Sequence, residues 1–165
     1  MGTENGEPAN TGISLPTAIH RRVSEARSGR DQTVIGRCAS GWAVFGHQQF
    51  VSGYLLLLPD PVVPDLNALT PENRSQFLLD MSRLGDALLR AAAPVRINYA
   101  IFGNLEPALH AHVIPRYRTE PEAMQTQQPW AYDWNAAPSF DAAASAPLMK
   151  SLRAELAKLG ALRTP

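Results

Sequence analysis

The sequence predicts an α+β fold in which one long helix packs on an antiparallel sheet of about five strands. A strong helix start, Thr70-Pro71-Glu72, opens an amphipathic stretch that continues to Ala93. Short apolar segments bounded by Gly and Pro lie on both sides of that stretch, as expected for strands joined by tight turns. A helix with one apolar face buries it well on such a sheet.

Before the long helix, the chain is predicted to form a short helix and three strands. The apolar residues Leu15, Ile19 and Val23 recur every four residues and predict an amphipathic helix to about Ala26. The segments QTVIGRC and GWAVFG follow as strands, separated by a turn at Gly41. The continuous run Leu55–Leu58 is typical of a strand that is buried on both faces.

After Pro94, which ends the long helix, two further strands are predicted, VRINYAIFGN and ALHAHVIPRY. Pro115 is expected to break the second of them. Residues 118–140 form a loop in which Trp130, Tyr132 and Trp134 alternate. These aromatic side chains either form a short edge strand, cover the sheet or stack on a ligand, and packing is favoured.

The predicted domain organisation is simple. Residues 1–13 are polar and are expected to be a disordered tail, and residues 14–165 to form a single domain. A C-terminal helix is expected to end near Gly160. Its apolar repeat consists of Leu148, Leu152 and Leu156.

Composition excludes several function classes. The formal net charge is zero and the pI is near 6.9, so no bulk field attracts nucleic acid or an anionic membrane. No apolar run approaches the ~20 residues that span a bilayer, and the polar N-terminus does not resemble a signal peptide. The single cysteine, Cys38, is read as a structural thiol rather than a nucleophile. We expect a cytoplasmic protein whose ligands bind at a local site.

The strand ALHAHVIPRY presents the strongest chemical signal. Alternation along a strand places Ala108, His110 and His112 on one face and apolar residues on the other. Two imidazoles two residues apart, roughly 6.6 Å along the strand, can reach one phosphate or one metal ion. No further metal ligands occur at a familiar spacing, so no metal site is predicted. Two partly exposed strand histidines without a function remain the alternative.

The nucleophile hypothesis assigns a role to each polar group near these histidines. His110 supplies the attacking nitrogen, and a backbone carbonyl one strand residue away accepts from its other ring nitrogen. His112, Asn104 and the turn amides around Gly103 hold phosphate oxygens. Arg116 is a candidate for additional positive charge at the phosphate, with a solvated or salt-bridged arginine as its alternative.

These residues resemble the histidine-triad (HIT) family of nucleotide hydrolases and transferases. The family signature H-φ-H-φ-H-φ-φ, where φ is apolar, is often followed by Pro-Arg, and ALHAHVI-PR corresponds to it from Ala108 to Arg116. The stretch FVSGYLLLLPDPVVPDLNALTPENRSQFL is similar to the strand, loop and helix start of the family. INYAIFGN and RTEPEAMQTQQPWAYD are similar to the segments that flank the motif in a bacterial branch. The resemblance covers about residues 33–159.

The resemblance implies an activity and a set of roles. His110 matches the histidine that attacks an α-phosphate and forms a nucleotidyl-histidine intermediate, and His112 matches a phosphate contact. Asn104 matches a polar phosphate-binding position, and Gly53 begins the strand that cradles the nucleotide. The family implies substrates such as diadenosine polyphosphates, a homodimer and no tightly bound cofactor, with Mg²⁺ accompanying the nucleotide as the one candidate ion.

Three positions depart from the family pattern. Ala108 replaces the first triad histidine, and Tyr54 replaces the histidine that follows Gly53. The position of a ribose-binding Asp or Asn falls near Gly46, so Gln48 is the candidate nucleotide contact there. Two functions are therefore expected: an enzyme that uses His110, or a nucleotide- or phosphate-binding module with little or no catalysis.

Overall fold

The computed structural model describes residues 16–163, so the tail predicted over residues 1–13 lies outside the described part of the chain. Five antiparallel strands form one sheet in the order β1-β2-β3-β5-β4. The strands are β1 (Val34–Arg37), β2 (Gly41–Phe45), β3 (Leu55–Pro59), β4 (Arg96–Ile101) and β5 (Ala111–Arg116). The helices are α1 (Ala18–Arg27), α2 (Pro71–Ala92), α3 (Glu122–Gln125) and α4 (Ala142–Lys158). The α+β prediction is confirmed.

Local chemistry sets the bounds of the long helix α2. The Thr70 hydroxyl accepts a hydrogen bond from the backbone N–H of Asn73, and Pro71 occupies the first turn, where its missing N–H costs nothing. Ala93 ends the helix in the left-handed conformation, and Pro94 prevents its continuation. On its apolar face, Phe77, Leu84 and Leu88 are fully buried against the sheet.

Both faces of the sheet are covered. Helices α2 and α4 pack on one face, over a core that includes Phe45, Leu55 and Leu57. Helix α1 packs on the other face, over a second core that includes Leu56 and Leu58. Alternate residues of β3 therefore enter different cores, which confirms that its leucine run is buried on both sides.

Two details of the predicted elements differ. Strand β5 begins at Ala111 instead of Ala108, and it continues through Pro115, which was expected to break it. The carbonyl of Arg116 points toward β4, where it accepts a hydrogen bond from the N–H of Val95. Backbone groups of neighbouring strand residues point to opposite sides, so the nitrogen of Pro115 faces the side of β3. Pairing with β3 has already ended at Val113. The missing N–H of the proline therefore removes no ladder hydrogen bond.

Residues 118–140 form a covering loop and not an edge strand. The loop contains α3 and a single 3-10 turn at Pro129–Ala131, and Trp134 packs on Phe50 with ring centroids 4.1 Å apart. Within residues 16–163, no helix combines the length and the hydropathy that crossing a membrane requires.

Candidate active site

A cleft of about 550 Å³ opens where the β4–β5 connection meets the covering loop of residues 118–140. The lining residues are Phe102, Asn104, Leu105, Glu106, His110, His112, Trp130 and Trp134. Both predicted histidines and Asn104 are therefore brought to one site. Gly103 lies between two of the lining residues, in the exposed connection.

His110 is held by its own backbone. Its Nδ1 lies 2.7 Å from the carbonyl oxygen of Ala108, and a carbonyl only accepts hydrogen bonds, so Nδ1 carries the proton. In the neutral ring, the lone pair is then on Nε2, which has no hydrogen-bond partner within residues 16–163. The expectation that a nearby backbone carbonyl orients His110 is confirmed: it is the carbonyl of Ala108, two residues away, which needs no imidazole at that position.

His112 lies beside His110, with ring centroids 4.8 Å apart. Its Nδ1 is 2.6 Å from the hydroxyl of Tyr54, and the side chain is buried. Burial, assisted by the neighbouring His110, lowers the pKa of His112 to about 4. The ring is therefore neutral at physiological pH.

Glu106 is a cleft residue that sequence reasoning missed. One carboxylate oxygen accepts from the backbone N–H of Ala18 at 3.2 Å, in the first turn of α1, and this bond ties the β4–β5 connection to that helix. The other oxygen is buried and has no partner within the described chain. Nothing local in the sequence signals this contact, because Ala18 and Glu106 are 88 positions apart.

Aromatic side chains form one wall of the cleft. Trp130 is 43% exposed and meets Phe102 edge to face at 4.6 Å. Trp130 also lies edge-on to His112 at 5.5 Å. The favoured packing role applies to Tyr132 and Trp134, which pack against the second core, although Trp134 also lines the cleft; Trp130 lines the cleft and does not join that core. With Phe102 and Leu105, which are also exposed at the cleft, Trp130 forms an apolar patch of the kind that marks binding surfaces.

Arg116 does not reach the cleft, and the structure corrects its assignment to the phosphate. Its side chain is buried, and its guanidinium bonds the carboxylate of Glu120, the amide oxygen of Asn98 and two backbone carbonyls. These contacts use all five N–H groups, so none is left for a phosphate. The salt-bridged alternative is confirmed.

Gln48 also lies away from the cleft, so its predicted nucleotide contact is not supported by its position. It is exposed in the β2–β3 connection, where it forms a β-bridge with Ser139. The neighbouring Gln49 has a structural role, because its amide donates to the carbonyls of Gly46 and Tyr54 and so closes the turn before β3. Gly53 adopts a positive φ in this turn.

Other chemistry is not indicated in the described part of the chain. Residues 16–163 contain no group of three or more His, Cys, Asp or Glu side chains placed to hold a metal ion. Cys38 is buried, and burial raises the pKa of its thiol to about 12, which suits a structural thiol.

Comparisons with known proteins agree with this geometry. A model of the HIT domain matches residues 29–119, more than half of the chain. No curated protein matches the chain by sequence.

Three solved structures illustrate the similarity in fold. A histidine triad protein from Bradyrhizobium japonicum is 24% identical, with a TM-score of 0.66 over 79% of this chain and 94% of the other. A histidine triad protein from Marinobacter aquaeolei has 19% identity and a TM-score of 0.69 over 88% and 99%. A hypothetical histidine triad nucleotide-binding protein from Sulfolobus tokodaii has 13% identity and a TM-score of 0.65 over 83% and 91%. By its sequence match and its fold, the chain belongs to the HIT family.

Proposed function

We propose that this protein is a nucleotide hydrolase or transferase that acts at an α-phosphate through a nucleotidyl intermediate on His110. The observation that carries the proposal is the hydrogen bond from Nδ1 of His110 to the Ala108 carbonyl. It leaves a nucleophilic lone pair on Nε2 at the wall of a cleft, beside a second imidazole. Membership of the HIT family supports a nucleotide as the ligand.

The proposed reaction has two displacements at phosphorus. The Nε2 lone pair of His110 bonds to the α-phosphorus, and the bond to the leaving group breaks with its electron pair on the leaving group, which takes a proton from solvent. Water or another acceptor then attacks phosphorus and loses a proton to solvent. The P–N bond breaks and its electron pair returns to Nε2. His112 and Asn104 hold the phosphate oxygens through both steps.

The cleft lining favours one group of substrates. It contains no Lys or Arg side chain, and its one carboxylate, Glu106, repels extra negative charge. Phe102 and Trp130 offer rings on which an apolar or aromatic group can stack. We therefore rank phosphoramidates and esters of a single nucleotidyl phosphate above diadenosine polyphosphates. A Mg²⁺ ion would bind mainly through the phosphate oxygens of the nucleotide, since Glu106 is the only acidic lining residue.

The second candidate is a nucleotide- or phosphate-binding module without useful turnover. Ala108 favours this function, because it removes one imidazole from the triad while leaving the carbonyl that orients His110. Binding alone would raise thermal stability with the logarithm of the nucleotide concentration, with no product formed.

A substrate panel with one substitution separates the two candidates. The purified protein is incubated with adenosine phosphoramidate, dinucleoside polyphosphates and nucleotide sugars, and products are measured by chromatography. The enzyme proposal expects turnover by the native sequence. Thermal stabilisation by nucleotide without product, together with a gain of activity in Ala108→His only, would establish the binding module instead.

We also propose a homodimer formed through the β4 edge of the sheet. Strand β4 is the last strand in the order, and its outer edge has no partner strand within residues 16–163. Val95 and Tyr99 leave 48% and 42% of their surfaces exposed along this edge. An unpaired edge with exposed apolar side chains favours pairing with a second copy.

A further inference from the structure

We infer that Tyr54 is a positioning residue for His112: its hydroxyl donates to Nδ1 and fixes the tautomer that keeps its proton on Nε2, where it is available to the cleft. The tautomer itself is independent of any reaction. Its purpose, to offer an N–H to a phosphate oxygen, rests on the proposed function.

The direction of the hydrogen bond follows from the available partners. The Tyr54 hydroxyl and Nδ1 of His112 are 2.6 Å apart, and within residues 16–163 the hydroxyl makes no other hydrogen bond. If Nδ1 carried the proton instead, it would donate to the hydroxyl, and the phenolic O–H would be buried with no acceptor. An unsatisfied buried donor costs more than a typical hydrogen bond gains, so the arrangement with Tyr54 as donor is favoured.

The ring of Tyr54 is held in the orientation that this hydrogen bond needs. The planes of the Tyr54 and His112 rings differ by only 8°, and their centroids lie 5.9 Å apart, with the hydroxyl 2.6 Å from Nδ1. Phe50 packs on Tyr54 at 4.8 Å and Trp134 meets it edge to face at 5.5 Å.

Gly46 gives the ring its space. A Cβ atom at this position would lie 2.2 Å from the Tyr54 ring, so a side chain at position 46 and the observed position of Tyr54 exclude each other. The absence of a ribose-binding carboxylate near position 46 is therefore linked to the presence of Tyr54. The departures from the family pattern at Gly46 and at Tyr54 therefore depend on each other.

The result is a complementary pair of histidines. His110 has its proton on Nδ1 and a lone pair on Nε2, whereas His112 has a lone pair on Nδ1 and its proton on Nε2. One ring is prepared to attack phosphorus and the other to donate to a phosphate oxygen. Burial raises the pKa of the Tyr54 hydroxyl, so this donor keeps its proton across the neutral range, where a histidine could lose it.

The test is a two-bond ¹H–¹⁵N spectrum of the ligand-free protein at pH 7, with the His112 signals assigned through His112→Gln. The inference expects the pattern of a ring protonated at Nε2. The same signals in Tyr54→Phe, which retains the ring packing but lacks the hydroxyl, should shift toward a mixture of both tautomers. A native His112 protonated at Nδ1, or an unchanged Nε2–H pattern in Tyr54→Phe, would overturn the assignment.

Tyr132→Phe is the matched control, because it removes a hydroxyl that donates to Glu120 instead of a histidine. The His112 signals should be the same in this variant as in the native protein. An equal change in both variants would indicate general loosening and would also overturn the inference. For a substrate found in the panel, Tyr54→Phe should lower kcat about tenfold, the effect of one lost hydrogen bond. Correct tautomers in a protein that forms no product would contradict the proposed function and leave this inference intact.

Discussion

The burial of His112 makes the stability of this protein sensitive to acid. The native pKa of His112 is about 4, below the ordinary value of 6.5. Between these two pH values the unfolded chain binds a proton that the folded chain does not, so stability falls as the pH is lowered through this window. The full effect is about 3 kcal/mol, complete near pH 4.

We therefore predict that the free energy of unfolding of His112→Asn depends less on pH between 6.5 and 4 than that of the native protein. Urea denaturation at several pH values measures both slopes. His47→Asn is the control: partial burial also lowers the pKa of His47, but by less than that of His112, so its removal should change the slope less. Parallel pH dependence in the native protein and in His112→Asn would contradict the assigned burial.

The contact between Gly46 and Tyr54 gives a second prediction at the residue scale. Gly46→Ala places a methyl group 2.2 Å from the Tyr54 ring, and the ring must move. We expect a loss of about 1–3 kcal/mol in unfolding free energy, the usual cost of overpacking. Gly103→Ala, whose methyl group would meet no atom within 4 Å, should have little effect in the same denaturation experiment. Equal stabilities of the two variants would show that the predicted clash does not occur.

At the scale of elements, most of the fold follows from short-range signals. The repeat of apolar residues and the Thr70-Pro71 start predict α2 to within a residue of its ends, because capping and periodicity are local properties. The continuous leucine run predicts β3 for the same reason. Pro115 is an exception to these short-range signals, which predict that a proline breaks a strand. Strand β5 accommodates it because pairing with β3 has already ended at Val113.

Side-chain partners from distant elements could not be predicted in this way. The carbonyl that orients His110 is two residues away in sequence and was expected, whereas Tyr54 reaches His112 across 58 positions. Strand alternation assigns Arg116 to the face of the histidines, but its partners are Asn98 of β4 and three residues of the following loop. Alternation predicts the face of a strand; it does not predict which loop side chain covers that face.

The N-cap of α2 allows a direct test at this scale. Thr70→Ala removes the hydroxyl that accepts from Asn73, and we expect a loss of about 1 kcal/mol in unfolding free energy. Ser75→Ala, in the exposed part of the same helix, should change stability by less than half as much. Chemical denaturation of both variants makes the comparison, and an uncapped helix of unchanged stability would contradict the role of Thr70.

At the scale of the whole molecule, the prediction concerns assembly. Val95→Lys introduces a charge beside the unpaired β4 edge, and desolvating that charge opposes association. We expect the native protein to behave as a dimer in light scattering after size exclusion, and Val95→Lys to shift toward the monomer. Gln48→Lys, in the β2–β3 connection and away from β4, should leave the mass unchanged. A native monomer, or a Val95→Lys dimer of unchanged stability, would contradict the β4 interface.

The central claim concerns one bond, between phosphorus and Nε2 of His110. The direct measurement is the intact mass of the protein after brief exposure to a nucleotide substrate, quenched in alkaline denaturant because a P–N bond hydrolyses in acid. The account predicts a mass increase of one nucleotidyl group that peptide mapping places on His110, and no increase in His110→Ala. Turnover that persists in His110→Ala, or an adduct on any other residue, would contradict it.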